Sequence, residues 1–267
     1  MTWLKLTPLF LSLVSMASSA ADLPLIVGHR GASHAAPENT LASFKLAFEE
    51  GADGIEGDFY LTKDGEIVCI HDADTKRVAG EKLMVAESTW AELSKLDVGS
   101  WKDAKYAGEH MPLLKQILDI LPPGKRFFLE VKCGPEIVEP LAKLFAEKHA
   151  DPARVTIISF NAPVIAACRE KLPAYQAHLI SDLKEVTAPE QRPLVEKQLA
   201  DCKSQGLQFK ATAPAVDASW LASLKGKGLA LTSWTVDDPE LAKKMIACGV
   251  QAITTNRPGP LRKELQP

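Results

Sequence analysis

The sequence predicts one α/β domain built as a parallel eight-stranded barrel, with a small insertion after the third strand signal. Short apolar runs alternate with helical patterns over about 240 residues, which is typical of repeated βα units. No G-x-G-x-x-G or P-loop run occurs, and this disfavours an open nucleotide-binding sheet. Of the 267 residues, 46% are hydrophobic and 24% are charged, so the chain can form a sizeable core.

The predicted elements follow one another along the chain. Nine runs have the length and composition of strands: Leu25–Gly28, Gly54–Leu61, Ile67–Ile70, Arg126–Val131, Val155–Phe160, Ala177–Ile180, Gly206–Thr212, Leu229–Thr235 and Gln251–Thr254. Helical spacing is found from Leu41 to Phe48 after a cap at Asn39 or Thr40, and then in the segments Ser88–Leu93, Leu114–Leu121, Glu136–His149, Pro163–Lys171, 189–205 and Pro239–Cys248.

Nine strand signals are one more than an eight-stranded barrel needs. The turn signal Lys63-Asp64-Gly65 joins the second run directly to the third, which leaves no room for a crossover helix. We therefore assign the surplus strand to this pair. The polar segment that follows, about residues 73–112, is predicted to be an insertion rather than a regular βα unit.

Residues 1–21 have the pattern of a secretory signal, which leaves residues 22–267 as the barrel domain. Lys5 precedes a mostly apolar stretch, and small residues at 18–21 offer a cleavage site. A buried N-terminal helix and a short anchor are the alternatives. No later apolar run reaches the length of a membrane span. We expect an exported protein, periplasmic or secreted, without a stable span.

The charge pattern and the spacing of the cysteines disfavour nucleic-acid binding and a cysteine-based zinc site. The net charge of −3 comes without a basic stripe, so nucleic acid is not an expected partner. The five cysteines form no C-x-x-C pair, which makes a cysteine-based zinc site unexpected. Small buried side chains are the favoured role for them, and disulfide pairing and oligomeric state stay open.

Reactive side chains are concentrated where four of the apolar runs end. If these runs are parallel strands, their carboxyl ends gather two imidazoles, three carboxylates, an Arg and a Lys at one rim. Glu56 and Asp58 are two residues apart and so face one side of a strand. Glu130 ends another run, and three oxygen ligands suit one divalent ion, either Mg²⁺ or Ca²⁺.

The remaining residues of the rim suit acid–base chemistry on an anionic ester. His29 and His71 each follow a strand signal and could share proton transfer to and from a reacting ester. Arg30 and Lys132 could hold a phosphate. Trp234 could form one wall of the pocket or lie in the core. The other histidines, His34, His110, His149 and His178, are expected at the surface or in packing.

The ordered motifs resemble those of the glycerophosphodiester phosphodiesterase family. They are Gly28-His29-Arg30-Gly31-Ala32, Pro37-Glu38-Asn39-Thr40, Gly51-Ala52-Asp53-Gly54-Ile55-Glu56-Gly57-Asp58, Leu61-Thr62-Lys63-Asp64-Gly65, His71-Asp72, Leu129-Glu130-Val131-Lys132, Ser159-Phe160, Trp234-Thr235-Val236 and Ile253–Pro258. The resemblance covers about residues 25–260, and the ordered set is far more specific than any single piece.

The resemblance implies a TIM barrel and metal-dependent hydrolysis of glycerophosphodiesters to glycerol 3-phosphate and an alcohol. By position, His29 and His71 would be the acid–base pair. Glu56, Asp58 and Glu130 would ligate the metal, Arg30 and Lys132 would contact phosphate, and Trp234 would contact the glycerol side. The chain departs from the family pattern at Gly57, where an apolar residue is usual, and at Asn256, where Asp is usual. We expect Gly57 to loosen its strand.

Two related functions and one unrelated function stay open at the level of sequence. A lysophospholipase D-type enzyme would use the same chemistry on lysophospholipids. A non-catalytic barrel could bind phosphodiesters without turnover, and a secreted structural protein would leave both histidines unexplained. The expected partner is a small-molecule glycerophosphodiester, and the identity of the released alcohol cannot be read from the sequence.

Overall fold

The computed structural model describes residues 23–182, 188–211 and 217–266. Within these ranges the chain forms nine strands: β1 Leu25–His29, β2 Gly54–Leu61, β3 Ile67–Cys69, β4 Arg126–Val131, β5 Val155–Ser159, β6 Gln176–Ser181, β7 Gly206–Lys210, β8 Ala230–Trp234 and β9 Ala252–Thr255. It also forms ten α-helices: α1 Leu41–Glu49, α2 Lys76–Ala79, α3 Trp90–Leu93, α4 Leu114–Ile120, α5 Val138–Glu147, α6 Ala162–Lys171, α7 Arg192–Asp201, α8 Ala218–Gly226, α9 Pro239–Ala247 and α10 Pro258–Leu265.

Eight of these strands close into a parallel barrel in the order β1-β2-β4-β5-β6-β7-β8-β9. The barrel closes because β1 pairs in parallel with both β2 and β9. Helices connect the parallel strands, so the predicted TIM barrel is confirmed. Each strand signal lies within two residues of an observed strand, although residue 212 of the seventh lies outside the described ranges.

The ninth strand, β3, is the surplus strand that the sequence indicated. It pairs antiparallel with β2, with Phe59 opposite Cys69 and Leu61 opposite Ile67. The loop between them is closed by Thr62, whose backbone N–H donates to the Glu66 carbonyl. A connection this short can form only a hairpin. Accordingly, β3 runs back toward the barrel instead of joining its wall.

Three helices have no counterpart among the sequence predictions: α2, α8 and α10. The last of these begins with Pro258-Gly259-Pro260, which indicates a turn when it is read locally. Proline is nevertheless compatible with a first helical turn, where backbone N–H groups have no intrahelical partner. Burial of Leu261 against the barrel then favours the helix.

Two layers of apolar side chains hold the barrel together. The larger layer lies between strands and helices and includes Phe44, Phe59 and Phe127, all fully buried. A smaller cluster that includes Val27, Phe128 and Ile158 is separate from it, as expected of side chains that face the barrel interior. Alternate residues of each strand therefore face the two layers in turn. Polar residues that alternate in step with the inward-facing residues, near the strand ends, then face the inside of the barrel mouth.

The segment between β3 and α4 forms its own small core, which includes Val78, Val85, Leu93 and Met111. Its helices are only one turn long, in agreement with the predicted insertion. It packs on the loop after β1, where Lys102 Nζ donates to the Ser33 carbonyl at 2.8 Å. The insertion therefore covers one side of the barrel mouth.

The cysteines, the search for a membrane span and the N-terminal segment remain to be compared with the predictions. All five cysteines are free, and Cys69, Cys168 and Cys202 are buried, as expected of packing residues. Helices long and apolar enough to cross a bilayer are absent from the described ranges. The predicted signal sequence at 1–21 lies outside those ranges.

Candidate active site

Neighbouring strands bring the predicted site residues together at the carboxyl end of the barrel. In the register of β1 and β2, His29 lies opposite Glu56. In the register of β2 and β4, Asp58 lies opposite Glu130. Alternate residues of a strand share one face, so Glu56 and Asp58 both point into the barrel mouth. Strand parity and parallel pairing together create this cluster.

Glu56, Asp58 and Glu130 form a compact acidic group. One ligand oxygen from each lies within 4.8 Å of the other two. The residues are only 2%, 1% and 9% exposed, respectively. Glu56 Oε2 accepts a hydrogen bond from the Arg30 backbone N–H at 2.9 Å, whereas Oε1 is buried without a partner among the described residues. An unpartnered buried oxygen beside two more carboxylates is a good fit to a hard divalent ion.

The electrostatics of the group indicate a shortage of positive charge. Burial, followed by the neighbouring Asp58 and Glu130, raises the pKa of Glu56 well above its usual range. Burial and Asp58 raise the pKa of Glu130 to about 7. Burial also opposes ionisation of Asp58, but Arg30 and Lys132 outweigh it and lower the pKa of that carboxyl. The two glutamates therefore favour a proton or a cation beside them.

Arg30 and Lys132 lie against this acidic group. Arg30 Nε is 3.2 Å from Asp58 Oδ2, and Lys132 Nζ is 2.8 Å from Glu130 Oε1 and 3.6 Å from Asp58 Oδ1. Both cations keep some exposure, with 18% and 16% of their side chains accessible. They can therefore contact an anion in the barrel mouth while they remain paired with the carboxylates.

A chain of hydrogen bonds holds His29 from behind. Its Nδ1 is 2.7 Å from Asn256 Oδ1, and Asn256 Nδ2 donates to Asp237 Oδ2 at 2.6 Å. Because a carboxylate only accepts, Asp237 orients the amide so that its oxygen faces the imidazole. His29 Nδ1 must then carry the hydrogen, and Nε2 is the nitrogen with a free lone pair. Burial and Arg30 lower the pKa of His29 to about 4.

His71 reaches the site by a different route from the one that the sequence suggested. The expectation of a parallel strand end is wrong for β3, because the tight hairpin turns it antiparallel. The return carries Ile70 back beside β2, where its N–H donates to the Asp58 carbonyl at 2.9 Å. His71 follows directly, and its Nδ1 is 2.7 Å from Asp72 Oδ1.

Trp234 lies at the end of β8 on the far side of the mouth. Its ring meets the half-exposed Phe160 edge-on, with centroids 5.6 Å apart. Lys210 Nζ lies 5.8 Å from the Trp234 ring centroid. Both are partners that the sequence did not single out for the site. Trp234 is partly exposed, so it borders the mouth as well as the interior cluster.

Sequence reasoning missed several residues that support the site, although its motifs contained them. Asn39 is not the helix cap; Thr40 caps α1. Asn39 instead donates from Nδ2 to Asp58 Oδ2 at 2.8 Å and accepts from the Asp58 backbone N–H. Its neighbour Glu38 accepts from Arg30 Nη1 at 2.9 Å. Their place in the polar run between β1 and α1 was the only sequence signal.

Two glycines of the motifs, Gly31 and Gly57, are required by close packing. Gly31 forms a left-handed turn, with φ of 83°, and a Cβ there would overlap Ser43 of α1. Gly57 does not loosen β2, which runs unbroken from residue 54 to 61. A Cβ at Gly57 would lie 3.1 Å from the side chains of Cys69 and Phe44, so the space is already filled.

The predicted structural histidines stay apart from this chemistry. His34, His110 and His149 are exposed, and His178 is buried with 4% of its surface accessible. Similarity to known proteins identifies the family of the chain. The model of the glycerophosphoryl diester phosphodiesterase family matches residues 29–260. The chain belongs to this family.

Known members of the family resemble the chain along most of its length. A glycerophosphodiester phosphodiesterase of Caldanaerobacter subterraneus subsp. tengcongensis is 34% identical over 241 residues, which are 88% of this chain and 94% of that protein. A solved Oleispira antarctica phosphodiesterase in complex with sn-glycerol-3-phosphate aligns with a TM-score of 0.81 and 25% identity. The alignment covers 91% of this chain and 97% of the other.

A second solved family member, from Thermotoga maritima, aligns with a TM-score of 0.72 and 26% identity, covering 90% of this chain and 97% of the other. The family, the barrel and the class of enzyme that the sequence predicted are thereby confirmed: the chain is a phosphodiesterase of the glycerophosphoryl diester family.

Proposed function

We propose that the protein hydrolyses glycerophosphodiesters to glycerol 3-phosphate and an alcohol, with one divalent ion and a histidine pair. The observation that carries this proposal is the buried acidic group flanked by His29, His71, Arg30 and Lys132. Two proton-transfer groups and two cations around three carboxylates suit displacement at an anionic phosphorus centre. A barrel that only binds diesters would not need two imidazoles held in place at Nδ1.

Glu56, Asp58 and Glu130 would hold the ion, either Mg²⁺ or Ca²⁺. When bound there, the ion would neutralise phosphate charge and orient the diester. Arg30 and Lys132 would take non-bridging phosphate oxygens, because both are held at the acidic group and both keep exposed donors. Trp234 and Phe160, whose rings meet edge-on, would pack against the carbon face of the glycerol unit.

The partners of the two histidines support different roles for them. His29 has a neutral amide behind Nδ1 and a pKa near 4, so it is a neutral base with Nε2 free at pH 7. It would take the proton from the attacking oxygen, which comes from water or from the substrate's own glycerol hydroxyl. His71 has the Asp72 carboxylate behind Nδ1, which accepts the Nδ1 hydrogen and orients the ring. It would give its proton to the leaving alcohol oxygen.

The decisive experiment compares two leaving groups. Turnover of glycerophosphocholine and of a p-nitrophenyl glycerophosphodiester is measured for wild-type, His29→Asn and His71→Asn proteins. Loss of a general acid or base costs about 10²–10⁴-fold. We expect His29→Asn to lose this much on both substrates. His71→Asn should lose it only on glycerophosphocholine, because p-nitrophenolate leaves without protonation.

Several outcomes would overturn parts of the proposal. The opposite pattern of losses would reverse the roles of the two histidines. Activity that survives exhaustive chelation would exclude the ion, and the absence of turnover of any diester by folded, ion-supplemented protein would exclude the function. His110→Asn is the matched control, because His110 is exposed and its ring contacts the Leu96 carbonyl. Phosphorus NMR during turnover would show whether a cyclic phosphate forms.

For the N-terminal segment, we propose cleavage near residues 20–22 during export to the periplasm or beyond. The support is the sequence pattern of residues 1–21: a charged start, an apolar stretch and small residues. Expression of the full chain in a bacterial host, followed by N-terminal sequencing of the protein in each fraction, tests this. Full-length protein that stays entirely in the cytoplasm would contradict it.

A further inference from the structure

Arg77 makes three hydrogen bonds to two acids at the edge of the site. It lies on α2, in the insertion that follows β3. Its Nε donates to Asp72 Oδ2 at 2.6 Å. Its two terminal nitrogens donate to the two oxygens of Glu38 at 2.9 and 2.8 Å. One planar guanidinium therefore joins two carboxylates from different parts of the chain.

Each of those acids also holds a residue of the proposed machinery. The other oxygen of Asp72 lies 2.7 Å from His71 Nδ1. Glu38 Oε1, which accepts from Arg77, also accepts from Arg30 Nη1 at 2.9 Å. Arg77 thus stands one residue behind a proton-transfer group on one side and one residue behind a phosphate-binding cation on the other.

The position of Arg77 is set by the core of the insertion. Its neighbour Val78 is buried in the cluster that contains Val85 and Met111. Thr75, just before α2, ties the start of the helix to the segment after it: its Oγ1 donates to the Glu81 carbonyl and accepts from the Leu83 N–H. A side chain anchored in this way holds its carboxylate partners by geometry as well as by charge.

An ordinary surface ion pair would not have this arrangement. Such a pair contributes little to stability and is free to change partners. Glu38, by contrast, has only 13% of its side chain exposed and lies between two guanidiniums. Burial opposes its ionisation, but the bonds from Arg77 and Arg30 outweigh burial and lower the pKa of Glu38. The acid is thereby kept charged as a bridge between the two cations.

We infer that Arg77 is a positioning residue for phosphodiester hydrolysis, fixing His71 through Asp72 and Arg30 through Glu38. The inference rests on the proposed function, because it gives those two residues their work. It also gives the insertion a role: its folding completes the site. Arg77 itself would touch neither the substrate nor the ion.

The test uses Arg77→Ala and Arg77→Lys in the full protein with a saturating divalent ion. A displacement near 1 Å can cost about a hundredfold in rate, and we expect kcat for glycerophosphocholine to fall about 10- to 100-fold. KM should rise by a smaller factor. Guanidinium ion in the buffer should restore part of the kcat of Arg77→Ala. Arg77→Lys should stay impaired, because an ammonium cannot reproduce the planar fork.

Two further measurements separate positioning from general stability. Arg262→Ala removes another partly exposed ion pair, to Asp53 just before β2 and away from the mouth, and should keep wild-type kcat. The proton NMR resonance of His71 Nδ1–H reports directly on its bond to Asp72, and we expect it to shift or broaden in Arg77→Ala. Thermal unfolding of each variant confirms that the assays compare folded proteins.

The outcomes distinguish the two proposals. Wild-type kcat in Arg77→Ala, with the His71 resonance unmoved, would overturn the positioning role. The positioning role would also be overturned if Arg262→Ala lost as much kcat as Arg77→Ala and guanidinium did not restore the activity of Arg77→Ala. If wild-type protein hydrolyses no diester while Arg77→Ala still moves the resonance, the proposed function fails and the positioning of His71 stands.

Discussion

Replacing Glu56 by glutamine should stabilise the ion-free protein at pH 8.5 and weaken its binding of divalent ions. The three site carboxylates present oxygens within 4.8 Å, and at an effective dielectric constant near 20 each charged pair repels by about 3.5 kcal/mol. Attraction from Arg30 and Lys132 offsets part of this repulsion. We expect Glu56→Gln to raise the free energy of unfolding in chelator by about 1–3 kcal/mol.

The side-chain geometry favours the same result. Glu56 Oε2 accepts from the Arg30 N–H at 2.9 Å, and the glutamine oxygen can keep that bond. Its amide nitrogen would then occupy the position of Oε1, which is buried and unpartnered in the described part of the chain. A donor there faces the other two carboxylates of the group, whereas the wild-type carboxyl must either keep a proton or add negative charge at that position.

The gain in stability from Glu56→Gln should increase as the pH rises. The pKa of Glu130 is raised to about 7, so the folded protein keeps a proton that the unfolded chain, with a pKa near 4.3, has already lost. Ion-free wild type therefore loses stability as pH rises toward and through 7, by up to about 3.7 kcal/mol. The advantage of Glu56→Gln should be small at pH 5.5 and full at pH 8.5.

The free energy of unfolding of both proteins is measured by urea unfolding, followed by circular dichroism, in chelator at pH 5.5 and pH 8.5. Glu139→Gln is the control, because its side chain is 79% exposed and remote from the acidic group. A divalent ion at a thousandfold over its Kd should stabilise wild type by about 4 kcal/mol and the variant by much less. Equal or lower stability of Glu56→Gln in chelator at pH 8.5 would refute the repulsion reasoning. Equal stabilisation by the ion would exclude Glu56 as a ligand.

The ring of His178 is buried, and neither ring nitrogen has a hydrogen-bond partner among the described residues. Burial lowers the pKa of His178 to about 4, so between pH 6.5 and 4 the unfolded chain binds a proton there and the folded protein does not. Stability should fall as pH drops from about 6.5 to 4, and His178→Leu should remove up to about 3 kcal/mol of that fall in urea unfolding. Gly206→Ala should destabilise by about 1–3 kcal/mol, since its Cβ would lie 2.8 Å from the Ala230 carbonyl oxygen; Gly226→Ala, which meets open space, is the control. Trp234→Ala should raise KM for glycerophosphocholine about tenfold, equivalent to 1.4 kcal/mol of binding.

Much of the site could be predicted because parallel strands impose simple rules. Residues two apart on β2 must share a face, so Glu56 and Asp58 follow from spacing alone. The carboxyl ends of barrel strands meet at one rim, which brings Glu130 to the same place from β4. These rules need only strand identity and direction, and both are visible in local patterns of apolar residues.

The direction of β3 shows where local patterns fail. Its apolar run is indistinguishable from that of a barrel strand, and only the short connection at residues 62–66 makes it turn back. The expectation that His71 follows a parallel strand was therefore wrong, because β3 returns antiparallel along β2. Local patterns also fail at helix α10. Its first residues indicate a turn, but burial of Leu261 favours a helix there.

By itself the sequence determined the barrel, the family and the reactive groups, since each depends on patterns within about ten neighbouring residues. Only the tertiary structure decided how those groups are held. Asn256 supports His29 from 227 positions away, and Arg77 meets Glu38 across 39 positions. Such pairings form only after the barrel closes and the insertion folds onto it, because the loops between them have no local preference that brings the partners together.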